Sequence, residues 1–169
     1  TTSSAIAAVF LGVPAETVTG RGAGLSDAGL ERKIQAIQRA IEVNCPDKED
    51  AIDVMSKVGG LDIAGLTGCF IGAAAAGLPI VIDGFISSVA ALCAVKIAPL
   101  SVHYMFPSHV SAEPAGNLVL EYLGMKALLH ADMCLGEGSG AVSCFKFFDE
   151  AMEAYEKLPT FEKGNVEAY

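Results

Sequence analysis

Apolar residues recur at helical spacing along much of the chain, and signals that start or stop helices flank these segments. The clearest segment predicts a helix that Ser26 or Asp27 caps and that reaches about Asn44. Its apolar face consists of Leu30, Ile34, Ile37 and Ile41. The last predicted helix spans 142–158. Its apolar face consists of Phe145, Phe148, Met152 and Tyr155.

The same criteria predict further helices over residues 1–10, 52–58, 62–77, 86–97 and 114–123. Asp62 is the expected cap of the third of these. Two short continuous apolar runs, 78–82 and 102–106, predict strands. Helices that alternate with buried strands indicate an α/β fold with a parallel sheet. Two strands are fewer than such a sheet needs, so we expect the chain to be part of a larger α/β domain.

Composition narrows the class of protein. The hydrophobic content of 52% and the mean hydropathy of +0.46 favour segments buried on both faces, or a surface that a partner covers. The formal net charge of -9 argues against nucleic acid or an anionic membrane as the partner. Residues 63–82 carry no charge, but Gly77 and Pro79 interrupt them, so we do not expect a membrane span. Five dispersed cysteines indicate reduced thiols in the cytoplasm.

The stretch 135–141 contains one carboxylate, Glu137, between two glycines at the start of the last predicted helix. Glycines let another molecule approach the backbone closely and adopt angles that other residues avoid. The turn therefore suits a general base that reaches a bound ligand. The alternative is a turn whose glutamate is solvated or caps the helix, and the local pattern alone favours that alternative.

Two further positions follow predicted strands, where ligands bind in open parallel sheets. They are Asp83-Gly84 and Ser108-His109. Asp83 could equally cap the helix that follows it. For His103, His109 and His130, packing or surface roles are favoured over metal binding, because no second ligand lies at a metal spacing.

The loop 20–24, followed by a capped helix, is a candidate anion cradle, although it matches no nucleotide-binding motif. Lys33, in the second turn of that helix, could reach a phosphate, while an exposed helix lysine is the commoner case.

Taken together, several stretches resemble the nicotinate-nucleotide:dimethylbenzimidazole phosphoribosyltransferase family, and they run in the family's order over nearly the whole chain. Five ordered matches are far more specific than any one of them. The matching stretches are 19–25 with 29–33, 82–86, 108–114, 135–141 and Thr160-Phe161.

The resemblance implies a doubly wound, Rossmann-like α/β domain in which 1–169 is the C-terminal part and 142–169 joins a smaller helical part. It also implies a homodimer and no metal or redox cofactor. The implied reaction moves ribose phosphate from nicotinate mononucleotide to a nitrogen of 5,6-dimethylbenzimidazole, giving alpha-ribazole phosphate and nicotinate. This reaction prepares the lower ligand of cobalamin.

The resemblance also implies roles for individual residues. Glu137 matches the general base, and a carboxylate kept away from water would do this work well. Lys33 matches a phosphate contact, and Leu135 would touch the aromatic base through its backbone carbonyl. The other implied lining residues are Asp83, Gly84, Phe85, Ser111 and Gly136.

The sequence departs from the family's pattern at Ala115-Gly116, where the family usually has Gly-His, at Cys134, usually Arg, and at His130, often Asp. A less polar pocket would suit relatives that work as heterodimers and activate phenols or cresols. A third hypothesis is a non-catalytic subunit that binds nucleotide or holds a partner.

In the family, a phosphate loop directly precedes the position of Thr1. We therefore expect this chain to be about half of an enzyme, inactive alone, whose partner is the N-terminal half or a second chain.

Overall fold

The computed structural model describes residues 1–164 and residue 167. The helices are α1 Thr2–Leu11, α2 Ala15–Val18, α3 Asp27–Asn44, α4 Ala51–Val58, α5 Leu61–Ala75, α6 Phe85–Ile97, α7 Gly116–Tyr122, α8 Ser139–Lys157 and α9 Phe161–Gly164. The strands are β1 Ile80–Ile82, β2 Met105–Pro107, β3 His109–Ser111 and β4 Leu129–Met133. A 3-10 helix, Pro99–Tyr104, leads directly into β2.

The strands form parallel pairs, as the alternation of helices and strands predicts. β1 pairs with β2, and β3 pairs with β4. Ser108, between β2 and β3, joins the two pairs because its N–H donates to the Ile82 carbonyl and its own carbonyl accepts from Leu129 N–H. Residues 105–111 therefore act as the middle of a short three-stranded arrangement, and all its carboxyl ends lie at one edge.

The core is built around α1 and α6. Residues 88–94 of α6 are all buried, and residues 3–8 of α1 are buried beside them. Both helices are rich in alanine and carry few charges, which is expected of helices packed on several sides. The largest fully buried side chains include Ile6, Ile37, Ile63, Ile82, Leu92 and Leu120.

The helix predicted from Ser26 or Asp27 to Asn44 is confirmed as α3, and the Ser26 hydroxyl accepts from Gly29 N–H. Two other predictions are wrong. Residues 102–104 are the end of the 3-10 helix, so the predicted strand begins only at Met105. Asp62 does not cap α5, because Gly60 occupies the N-cap position and Asp62 lies in the first turn.

Helix α8 begins at Ser139, three residues before the predicted start, and much of its predicted apolar face is exposed. Phe145, Met152 and Tyr155 are accessible to solvent, while the half-buried Phe148 packs edge-on against Phe106 with ring centroids 5.5 Å apart. Residues 165, 166, 168 and 169 of the predicted helical part lie outside the described residues. Among the described helices, none has the length and apolarity needed to cross a membrane.

Candidate functional site

The parallel carboxyl ends of the strands open into a cavity of about 600 Å³. Asp83 follows β1, Ser111 ends β3, and Cys134 follows β4; all three line it. Because parallel strands end at the same edge, segments far apart in sequence meet there. The position agrees with the one predicted from Asp83-Gly84 and Ser108-His109.

All the residues predicted to form the site line this one cavity. They are Lys33, Asp83, Gly84, Phe85, Ser111, Leu135, Gly136 and Glu137. Gly22 and Ala23 of the candidate anion loop also line it. The structure therefore brings together in one cavity stretches that are far apart along the chain. What each side chain binds stays a prediction.

The glycine turn has an unusual backbone. Gly136, Glu137 and Gly138 have φ angles of 76°, 59° and 77°, so three consecutive residues lie in the left-handed region. A residue with a Cβ atom is disfavoured there by about 1–2 kcal/mol, and such conformations persist where surrounding contacts hold them. The Glu137 side chain is exposed at the cavity. The described residues thus do not supply the desolvation expected for a base at this position.

Asp83 holds the turn in place. Its Oδ2 accepts from Gly138 N–H at 3.1 Å, and its Oδ1 accepts from the N–H groups of Gly140 and Ala141 at 2.9 and 3.1 Å. The sequence left open whether Asp83 caps the helix that follows it. It does act as a helix cap, but on α8, whose N–H groups are 55 or more positions away.

Ser108 contacts the backbone of Asp83, and His109 contacts Ser108. The Ser108 hydroxyl donates to the Asp83 carbonyl at 3.1 Å and lies 2.9 Å from His109 Nδ1. A serine hydroxyl has one proton, so a Ser108 hydroxyl that donates to Asp83 accepts from His109 Nδ1–H. His109 is buried and borders the cavity, in agreement with the packing role favoured from sequence, while His103 and His130 are exposed.

Lys33 holds the loop 20–24, and Glu113 lies close to it. Lys33 Nζ donates to the Gly20 carbonyl at 2.8 Å. A Cβ at Gly20 would lie 2.7 Å from Cδ of the rigid Pro114 ring and would also meet the Glu113 carboxylate, so this close approach requires glycine. Glu113 is half-buried and brings a third carboxylate to the lining, after Asp83 and Glu137.

Helix α1 also contributes to the cavity, which was not predicted from the sequence. The buried Ser3 and Ser4, in its first turn, line the cavity together with Thr1. The N–H groups of a first helical turn carry partial positive charge and bind anions. The two serines at the start of an otherwise apolar helix are the sequence feature that could have indicated this contribution.

Of the three departures from the family's pattern, Cys134 lines the cavity, whereas His130 and Ala115-Gly116 are absent from its described lining. A separate open groove of about 390 Å³ lies between α2 and α3. Its described lining carries three carboxylates, Glu16, Asp27 and Glu31, and no lysine or arginine. The larger cavity also carries three carboxylates, but it includes Lys33 and all the predicted site residues, so we place the candidate site there.

A family model described as phosphoribosyltransferase matches residues 1–166 of the chain. The chain belongs to this family. The match extends over all the elements from α1 to α9, and every residue that lines the cavity lies within it.

Curated relatives are named nicotinate-nucleotide--dimethylbenzimidazole phosphoribosyltransferase. The one from Acetivibrio thermocellus is 53% identical over 169 residues, which is 100% of this chain and 48% of that protein. The one from Ruminiclostridium cellulolyticum is 51% identical over the same length and is covered to 48%. The chain therefore spans about half the length of the curated relatives it matches.

Two solved structures from Thermus thermophilus are also similar. CobT superimposes with a TM-score of 0.91 at 37% identity, over 99% of this chain and 50% of that chain. Nicotinate-nucleotide-dimethylbenzimidazole phosphoribosyltransferase gives a TM-score of 0.88 at 35% identity, over 99% and 49%. The resemblance inferred from the sequence motifs is confirmed, as is the mixed α/β fold with short parallel strands.

Proposed function

We propose that this chain supplies the base-activating half of an enzyme that transfers ribose phosphate from nicotinate mononucleotide to 5,6-dimethylbenzimidazole. The products are alpha-ribazole phosphate and nicotinate, and the reaction belongs to lower-ligand synthesis for cobalamin. The observation that carries the proposal is that Glu137 and Lys33, an acid and a cation 104 positions apart, line one cavity. The names of the relatives supply the substrates.

Glu137 is the proposed general base. One azole nitrogen of the benzimidazole forms a bond to the anomeric carbon while the bond from that carbon to the nicotinate nitrogen breaks. The bonding electrons return to the pyridine ring, and nicotinate leaves. The proton on the other azole nitrogen passes to the Glu137 carboxylate. Loss of that proton leaves the product benzimidazole ring neutral. The backbone carbonyl of Leu135 would position the ring.

Lys33 and the start of α1 form the proposed phosphate end. Among the described lining residues, Lys33 is the one lysine or arginine, and Ser3 and Ser4 border the same space. A chain of net charge -9 repels anions as a whole, so a phosphate needs such local donors. The loop 20–24 would lie next to the phosphate, because Lys33 donates a hydrogen bond to its Gly20 carbonyl.

Apolar side chains also line the cavity. They are Leu66, Phe85, Met133 and Leu135, with Asp83 and Ser111 as polar neighbours. Such a surface favours a flat aromatic ring, because pockets for small molecules are mostly apolar with a few placed polar groups.

The chain would act with the part of the protein that its relatives have and these residues lack. We infer that 1–169 is the C-terminal part of one α/β domain, with 142–169 in a smaller helical part, and that the assembled enzyme is a dimer. The exposed apolar residues of α8 give such an assembly a surface to cover. We place the enzyme in the cytoplasm, where its five unpaired cysteines would stay reduced.

The test uses an assembled protein: this chain fused to, or co-expressed with, the part of the Acetivibrio thermocellus relative that it does not cover. With nicotinate mononucleotide and dimethylbenzimidazole, mass spectrometry should detect the ribotide. Glu137→Gln should lower kcat by about 10²–10⁴-fold, the usual contribution of a general base. Glu156→Gln, on an exposed turn near the end of α8, is the matched control and should leave kcat unchanged. Full activity of Glu137→Gln would favour a non-catalytic subunit instead.

Cys134 supports a second candidate, in which the acceptor is a phenol or cresol. Its thiol lines the cavity where the family usually carries an arginine. Phenol and dimethylbenzimidazole should compete if the pocket accepts both. Product from the azole alone would eliminate this candidate.

A further inference from the structure

We propose that Asp83 is a positioning residue that sets the location of Glu137 and does not bind substrate, an inference that rests on the proposed function. Its carboxylate accepts three hydrogen bonds from backbone N–H groups in the segment that begins directly after Glu137. A carboxylate offers about four acceptor sites, so most of its capacity is already occupied. Little remains for a ribose hydroxyl or an azole N–H.

The three hydrogen bonds hold both the last residue of the glycine turn and the first turn of α8. Gly138 N–H, bonded to Oδ2, fixes the peptide that joins Glu137 to Gly138. The N–H groups of Gly140 and Ala141, both bonded to Oδ1, fix the first turn of α8. A carboxylate at a helix N-terminus is also favoured by the helix dipole. The end of β1 and the start of α8 are thereby tied together.

The backbone of Glu137 explains why such a tie is needed. Its φ of 59° lies in a region that a glutamate adopts at a cost, and glycines with φ of 76° and 77° flank it. Without external bonds, glycines on both sides would let this segment relax to other conformations. Asp83 limits that freedom, so the Glu137 carboxylate stays at one place in the cavity.

Asp83 is itself fixed. The Ser108 hydroxyl donates to its backbone carbonyl, and His109 donates to that hydroxyl. His109 in turn packs against Gly140, beside the N–H that Asp83 accepts. The contacts link the ends of the strands to the glycine turn and to the first residues of α8.

Asp83→Asn separates positioning from folding. The amide keeps one carbonyl oxygen, which can take the Oδ1 position and retain the bonds to Gly140 and Ala141. It replaces Oδ2 by an NH₂ donor, which faces the Gly138 N–H and cannot accept from it. The variant therefore releases the peptide after Glu137 while the cap of α8 persists. Asp83→Ala removes all three bonds and serves as the second variant.

The experiment combines amide hydrogen exchange with steady-state kinetics on the assembled protein. In Asp83→Asn, exchange at Gly138 should accelerate by about 10-fold or more, as expected when a hydrogen bond to a charged acceptor is lost. Exchange at Gly140 and Ala141 should change less. kcat should fall by roughly 10²-fold, the effect of displacing a catalytic group by about 1 Å, while KM for both substrates stays near the wild-type value.

Asp50→Asn is the matched control, because Asp50 caps α4 through the N–H groups of Ile52 and Asp53 and is not part of the described cavity lining. It should alter stability but neither kcat nor KM. A raised KM for Asp83→Asn with unchanged kcat would make Asp83 a substrate ligand and overturn the proposal. Unchanged exchange at Gly138 would overturn it whatever the activity. Absence of ribotide from the wild-type assembly would instead overturn the proposed function.

Discussion

The imidazole of His109 occupies the space that a side chain at position 140 would need. A Cβ built on Gly140 would lie 1.9 Å from His109 Nδ1 and 2.9 Å from Ser108 Oγ. Real Cβ atoms do not approach other atoms so closely, so α8 can start at this place only with glycine at position 140. The helix that follows the Glu137 turn is thus packed directly on the end of the central strand segment.

Gly140→Ala should therefore destabilise the protein by about 1–3 kcal/mol through overpacking. Urea unfolding of the assembled protein measures this. Gly68→Ala in α5 is the control, because nothing lies within 4 Å of its Cβ position and alanine should stabilise a helix by about 0.5–1 kcal/mol. Adding His109→Ala should recover part of the loss. Equal stability of the two glycine variants would contradict the contact.

Lys33→Met should raise KM for nicotinate mononucleotide by roughly 10- to 150-fold, since a hydrogen bond to a charged group contributes about 1.5–3 kcal/mol. Steady-state kinetics on the assembled protein checks this. Arg32→Met, one position earlier on α3 and exposed, should leave KM unchanged. If nicotinate riboside, which lacks the phosphate, suffers the same loss, the role of Lys33 is confined to holding Gly20.

Local signals were sufficient for most of the helices. Ser26 caps α3 and its amphipathic face persists to Asn44, so both ends are visible in the sequence. β3 and β4 were not predicted, because three and five residues without an apolar run form strands only through pairing with each other. The first three residues of the apolar run 102–106 belong to a 3-10 helix, and Pro99 is the first residue of that helix.

Many residues that line the candidate cavity could be named from the sequence, but the contacts between them could not. Residues such as Lys33 and Glu137 could be named because their motifs occur in a fixed order. The bonds from Asp83 to Gly138, Gly140 and Ala141 span 55 to 58 positions, and no local pattern indicates them. The local pattern favoured a solvated Glu137, and its side chain is exposed, whereas the desolvation implied by the resemblance depends on what surrounds the turn and not on its sequence.

Stability should fall in acid partly through Asp53. The N–H of Asp47, and then the ion pair with Lys57 at 2.8 Å, lower the pKa of this carboxyl. A lowered pKa in the folded state adds stability above the unfolded pKa of about 3.9, and that contribution is lost as pH falls through the folded value. Asp53→Asn should therefore lower the unfolding midpoint at pH 7 and converge with the wild type below about pH 4.

Thermal unfolding across that pH range measures the difference for Asp53→Asn. Asp149→Asn, on an exposed position of α8, is the control and should track the wild type at every pH. A constant offset between Asp53→Asn and the wild type from pH 7 to well below pH 4 would show that ionisation of Asp53 is not involved.

The five cysteines should fall into two groups in alkylation. Cys45, Cys69 and Cys134 are exposed, while Cys93 and Cys144 are buried. Burial raises the pKa of the Cys93 thiol to about 12 and raises the pKa of Cys144, so neither forms the reactive thiolate at pH 8. Peptide mapping after brief treatment with N-ethylmaleimide should find label on the exposed group, and on the buried pair only after denaturation.

Cys134 also reports on the cavity, because it lines the same space as Glu137. In the assembled protein, dimethylbenzimidazole together with nicotinate should slow its alkylation, since an aromatic ring beside Leu135 would cover the thiol. Cys69, exposed on α5 and absent from the described lining, provides the internal control and should react at the same rate with and without ligands. Slowing at both positions would indicate a global change in the protein, and slowing at neither would place the aromatic ring away from Cys134.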